Sequence, residues 1–191
     1  MARLSKAKTR AKIRDALVAE VVENGLAAVN VAGVVQRAQV SAGTVYVHFE
    51  SKDDMLRQVY MEIKAEFHDC ITKHHEEADS ARLVREMWFA MFRFVRARPK
   101  DFLFLEYANA ANILLPEQQA ITDGYAADIA ALLKRGVDDG TLADLDASLL
   151  SLLLVAPAMQ LARSAVLSGR TTPEPLIEQT FERVWLSIAN H

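Results

Sequence analysis

The sequence predicts an all-α fold of about nine helices, and three observations predict it. Breakers are scarce, with 7 Gly and 5 Pro in 191 residues. The stretches between them are rich in Leu, Ala, Glu and Arg, residues of high helix propensity. Apolar residues recur three and four positions apart, the spacing of a helix that buries one face. With 51% hydrophobic and 25% charged residues the chain has the balance of a globular protein that can build a core.

Each element follows from its own signals. Thr9 reads as the N-cap of a first helix through Ile13, Leu17, Val21 and Val22, stopped at Asn24-Gly25. Asn30 caps a short helix through Val31, Val34, Val35 and Ala38, and Gln39-Val40 makes a turn. Ser41 caps a second short helix running through Ala42, Gly43, Thr44, Val45, Tyr46 and His48. Ser51 caps a long helix from Lys52 to about His75, with Asp53 and Asp54 in the first turn where the helix dipole favours acid. Beyond the polar stretch from Glu76 to Ser80, Leu83 to Ala97 reads as an aromatic-rich helix. Pro99 and Pro116 each start another, the second ending at Asp139-Gly140. Asp146 opens a helix to about Leu167, and Pro173 opens the last, with Leu176, Phe181 and Trp185 on one stripe.

The net charge of −3 conceals a division. Residues up to Lys52 carry eight basic and four acidic side chains; the remainder is acidic by seven. Arg3, Lys6, Lys8, Arg10, Lys12 and Arg14 all precede the first acid. A basic head on an acidic body suits a protein that offers one end to a polyanion. No uninterrupted apolar run reaches the roughly 18 residues of a membrane span, so no membrane partner is expected. The basic N-terminus lacks the apolar core of a signal peptide. The single Cys70 cannot form an internal disulfide, which fits the cytoplasm. A Gly-rich phosphate loop, a nucleophile elbow, a zinc-protease helix and paired carboxylates on one apolar face are all missing, so neither an enzyme nor a cofactor is expected.

Two short capped helices joined by a tight turn and buttressed by a third suggest a helix-turn-helix, whose second helix enters the DNA major groove. Its groove-facing end must be capped and small, as Ser41-Ala42-Gly43-Thr44 is. The run from Val40 to Leu56 resembles the signature of the TetR family of bacterial repressors: Val-Ser-x-Gly-Thr-hydrophobic-Tyr-x-His-Phe-x-Ser-Lys, then an acid, then a hydrophobic-Leu pair. The resemblance covers about the first sixty residues; the rest is similar in length and helix pattern. It implies an N-terminal DNA-binding domain over 1–52 and a helical ligand-binding and dimerisation domain over 53–191. It further implies that Asn30, Thr44, Tyr46 and Lys52 meet phosphates, while Ala42, Gly43, Val47 and His48 approach base edges, with Ser41 at the helix start. Tyr46 has a competing reading as a core aromatic, and Phe49 reads as core outright. Three positions depart from the family pattern: Gln39 for Gly in the turn, Val35 for a small residue at the helix crossing, and Gly33 inside a helix.

A family member would act as a homodimer through its last two helices on a palindromic double-stranded operator, released by a small organic effector. Candidate effector contacts are Phe67, Cys70, Trp88, Phe92, Phe102, Tyr107, Asn109, Tyr125 and Arg163, with Phe104, Asn112 and Gln119 nearby in sequence. Plain core is the competing reading for each aromatic, since pockets and cores share that composition. An alternative is metal or thiol sensing by Cys70 with His68, Asp69, His74 and His75; Cys70 and His74 stand four apart, on one helical face.

Overall fold

The computed structural model describes residues 2–73, 79–110 and 113–191, with side chains outside 2–5 and 110. Met1, His74, His75 and Asn112 lie outside the described residues, and so does the Arg3 side chain. The described residues form nine α-helices: α1 (Ala2–Asn24), α2 (Val31–Ala38), α3 (Ala42–His48), α4 (Lys52–Thr72), α5 (Ser80–Ala97), α6 (Pro99–Ala110), α7 (Pro116–Asp138), α8 (Ala147–Leu167) and α9 (Glu174–Ile188). A single 3-10 turn, Leu26–Ala28, separates α1 from α2. No strand occurs among the described residues beyond an isolated bridge between Leu142 and Ala189.

The capping chemistry is as expected at four helix starts. Asn30 accepts from the Gly33 amide at 2.9 Å and Ser41 from the Thr44 amide at 3.1 Å. Ser51 accepts from the Asp54 amide at 3.1 Å and Asp146 from the Ser148 amide at 2.8 Å. Two starts differ. α1 begins at Ala2, so Thr9 lies inside the helix and does not cap it. Its preceding residues include no breaker, and good helix formers on both sides carry the helix past a single Thr. α5 begins at Ser80 because Asp79 accepts from the Arg82 amide at 2.8 Å; the polar stretch contains the cap itself.

The chain forms two compact units, Met1–Lys64 with Lys100–Leu115, and Ala65–Pro99 with Pro116–His191. These differ from a division at residue 52: Lys52–Lys64 of α4 and nearly all of α6 group with the N-terminal helices. In the first unit Ile13, Leu17, Val34, Val45, Phe49 and Met55 are buried, together with Phe102 and Phe104 of α6. Each such side chain contributes on the order of 1.5–3 kcal/mol by leaving water. Polar ties hold α6 in this unit. Arg14 of α1 donates to Asp101 at 2.7 Å, both side chains largely buried, and Lys100 pairs with Glu23 at 3.3 Å.

In the second unit α5 packs against α7, α8 and α9. Trp88 is fully buried at its centre, donating its indole N–H to the Ile177 carbonyl at 3.3 Å and packing on Phe92 and Phe181. By length and composition α8 is apolar enough to cross a membrane, although Pro157 and Gln160 interrupt its apolar run. Here Leu150, Leu154, Ala158 and Ala162 bury one face of it, and α5, α7 and α9 pack around it.

Candidate nucleic-acid interface and effector-binding region

The helix-turn-helix is built from α2 and α3, with α1 behind them. Gln39 ends α2 at φ 55°, ψ 47°, the only non-glycine with positive φ among the described residues. It occupies the left-handed position where the family pattern has Gly, at a cost of about 1 kcal/mol. Its amide bonds back to the Gln36 carbonyl and the Val40 amide to that of Val35, so the turn closes despite the substitution. Gly33 marks the close approach of α2 to α1. A Cβ there would stand 2.8 Å from Glu20 Oε2, and Glu20 is held by Arg37 at 2.9 Å and Asn24 at 3.0 Å.

α3 turns one face inward, with Val45 buried, and one outward. Val47 is 67% exposed and Tyr46 55% exposed, so the core reading of Tyr46 does not hold, whereas Phe49 is buried. Ala42 and Gly43 are exposed beside them, Thr44 and His48 half-buried. The Ser41 and Thr44 hydroxyls lie 2.8 Å apart, tying the first turn together. Asn30 and Ser41 both spend a side-chain oxygen on capping. Asn30 also has its amide nitrogen 3.4 Å from the Ala28 carbonyl, so it begins from a fixed orientation. Lys52 is half-exposed at the first residue of α4.

The basic head separates by duty. Arg10 pairs with Glu62, donates to Gln58 at 3.2 Å and lies over the Phe49 ring at 5.1 Å. Arg14 is taken up by Asp101, and Arg37 of α2 by Glu20 and Glu23. Lys6, Lys8 and Lys12 remain exposed along α1. Burial, then the charges of Lys6 and Arg10, push His48 below its ordinary value and keep its ring neutral at neutral pH.

The nine expected effector residues fall in both units. Phe102, Tyr107 and Asn109 are in the first unit, where Asn109 accepts from the Tyr60 hydroxyl at 3.3 Å. Near them burial pushes the Lys64 ammonium down, an effect Glu106 opposes, and burial first and Glu106 second push the Tyr60 hydroxyl up. In the second unit Trp88 is core, Phe67 packs edge-on to Phe94 at 4.9 Å, and Tyr125 stacks on His68 at 4.4 Å. Cys70 donates its thiol to the Ala90 carbonyl at 3.6 Å. Gln119 is exposed and bonds Asp123 at 2.8 Å. Arg163 is exposed on the outer face of α8. Among the described residues no three His, Cys, Asp or Glu stand together as metal ligands.

Phe92 alone of the nine lines the cleft of about 290 Å³ formed by α5, the end of α8, residues 169–172 and the start of α9. Arg96, Arg170 and Thr172 in its wall were not singled out from the sequence. The stop at Gly169, after a long apolar helix, was the available signal.

A capped helix with an exposed recognition face, set in a three-helix frame, defines a DNA-binding regulator of the helix-turn-helix class. Residues 13–59 match the model of bacterial regulatory proteins, tetR family, and residues 82–189 match the tetracyclin repressor-like C-terminal domain. The chain therefore belongs to the TetR family of transcriptional regulators. It is 25% identical over 175 residues to an uncharacterized HTH-type transcriptional regulator of Haemophilus influenzae, covering 86% of this chain and 87% of that one. A TetR family transcription regulator from Marinobacter aquaeolei superposes with a TM-score of 0.87 at 23% identity, over 99% of this chain and all of that one. A tetR family regulatory protein from Rhodococcus gives 0.82 at 16% identity, covering 96% and 98%.

Proposed function

We propose that this regulator is a homodimeric, cytoplasmic repressor that binds a palindromic operator through α3 and is released by a small organic effector. The observation that carries the DNA reading is the outward face of α3. Tyr46 and Val47 are large, exposed and without a packing duty, on a helix whose start is fixed by the Ser41 cap. Exposed apolar and aromatic groups on a short capped helix are suited to reading base edges and thymine methyls. Thr44, Tyr46 and Lys52 would then anchor phosphates, with Asn30 steadying the start of α2. Ala42, Gly43, Val47 and His48 would approach the bases, with Ser41 holding the helix they sit on.

Dimerisation is supported by the outer faces of the last two helices. Leu149, Leu152 and Leu167 of α8 and Leu176 and Leu186 of α9 are each at least 40% exposed. On α8 they share one helical stripe with Arg163, which therefore belongs to this surface. Phe181 does not: it is buried against Trp88 and Phe89, so the outward stripe of α9 is Leu176 and Leu186. A two-fold pair of such faces makes a four-helix interface and carries two recognition helices, one per half-site.

Fluorescence anisotropy with an operator duplex tests the reading. Lys52→Gln and Tyr46→Phe should weaken binding about equally on all sequences and flatten its salt dependence, the mark of lost phosphate contacts. Val47→Ala and His48→Ala should change the preferred sequence. Four variants with unaltered affinity and preference would overturn it.

A further inference from the structure

We propose that the cleft between α5, α8 and the start of α9 is a binding site for a small organic carboxylate with an apolar body. This deepens the effector reading and rests on it only in naming the occupant an effector; the binding stands by itself.

The walls of the cleft are apolar: Phe92 and Val95 from α5, Ala162 and Val166 from α8, and Ile177 from α9. At about 290 Å³ it lies at the small end of ligand sites, room for one ring or a short chain. Its rim is cationic. Arg96 and Arg170 both line it. Arg96 is already paired with Glu174 at 2.9 Å. Arg170 has no carboxylate within ion-pair distance among the described residues.

The position of Arg170 is set by the backbone. α8 ends with the Gly169 amide bonding the Val166 carbonyl and the Arg170 amide bonding that of Ala165, with Gly169 at φ 67°. That left-handed residue turns the chain back across the end of the helix, the geometry of a glycine C-cap. It fixes Arg170 at the cleft instead of leaving it on a loose tail. A guanidinium presents parallel N–H donors that match a carboxylate, and beside an apolar wall the pairing is strengthened by partial exclusion of water. Charge at the rim and apolar surface within select a molecule with one anionic end. A neutral isostere would gain the wall contacts alone, and an inorganic anion the rim alone.

The test uses the full-length protein and calorimetric titration with benzoate and hexanoate, with benzamide as the neutral isostere and inorganic phosphate as the bare anion. A carboxylate should bind at least about tenfold more tightly than benzamide or phosphate. Arg170→Gln should remove that advantage and leave benzamide unchanged. Ala165→Phe, which fills the cleft from a half-buried position on α8, should abolish binding of both. Saturating benzoate should weaken operator binding by the native protein, so carboxylate binding that leaves operator affinity unchanged speaks against the regulatory reading and not against the cleft. Equal binding of benzoate and benzamide, carboxylate binding that survives both variants, or no carboxylate binding at millimolar concentration would each overturn the proposal.

Discussion

His48 lies on the helix proposed to meet DNA, half-buried near the end of α3. Burial lowers its affinity for a proton, and Lys6 and Arg10 lower it further. A histidine depressed in this way is neutral in the folded chain, so on acidification the unfolded chain takes up the proton first. Its contribution to stability is therefore present at neutral pH and is lost as pH falls below the ordinary value near 6.5. Titration by NMR should find His48 below that value, and Lys6→Gln should move it upward. A midpoint at or above the ordinary value, or one indifferent to Lys6, would contradict the placement of that lysine near α3. Gln39 offers a second residue-scale check. Gln39→Gly removes the left-handed strain but adds freedom to the unfolded chain, about 1 kcal/mol against 0.4–1 kcal/mol. The urea midpoint should rise slightly or stay level, and a clear fall would mean the Gln side chain holds the turn in some other way.

Between elements, the pair Arg14–Asp101 is a largely buried tie within the first unit. It joins α1 to α6 across 87 residues of sequence, with both side chains mostly shielded from water. Asp101→Asn should lower stability by about 2 kcal/mol, read as a reduced urea midpoint at unchanged slope. A loss under about 0.5 kcal/mol would rank the pair with ordinary surface pairs. The same pair explains a limit of sequence reading. Periodicity and caps are local, so the helix types and the starts at Asn30, Ser41, Ser51 and Asp146 could be read directly. The association of α6 with the N-terminal helices rests on long-range contacts, the Arg14–Asp101 and Lys100–Glu23 pairs and the burial of Phe102 and Phe104, between residues that local periodicity does not connect. The effector residues meet a similar limit of local pattern. Trp88 and Phe102 are apolar at helical spacing, and spacing does not distinguish a residue that fills a core from one that lines a cavity. On α3 the inward direction of Val45 could be read, because a short capped helix leaves few ways to orient its side chains.

At the scale of the whole molecule, a basic N-terminal region and an acidic remainder fit a regulator that presents one end to DNA, but the charge difference is not itself the contact surface. Arg10, Arg14 and Arg37 hold helices together, which leaves Lys6, Lys8, Lys12 and Lys52 as the cations of that region outside ion pairs among the described side chains. The exposed leucines of α8 and α9 complete the account, since one recognition helix reads only a half-site. Light scattering should give twice 21.2 kDa for the native chain. Leu152→Asp, at a position 61% exposed, should give the monomer mass with helicity retained and weaken operator binding at least tenfold, or about 1.4 kcal/mol. A native monomer that binds DNA as tightly as any variant would rule out the dimer.

The most direct test is selection of DNA from a random duplex library by the full-length protein, run beside the Val47→Ala/His48→Ala double variant. The native chain should enrich a two-fold symmetric sequence with half-site centres about one helical turn, 34–36 Å, or a multiple of it apart. The double variant should retain the spacing, which the dimer sets, while changing the bases preferred within each half. Enrichment of nothing above background, or of the same bases by both proteins, would contradict the claim that the outward face of α3 reads DNA.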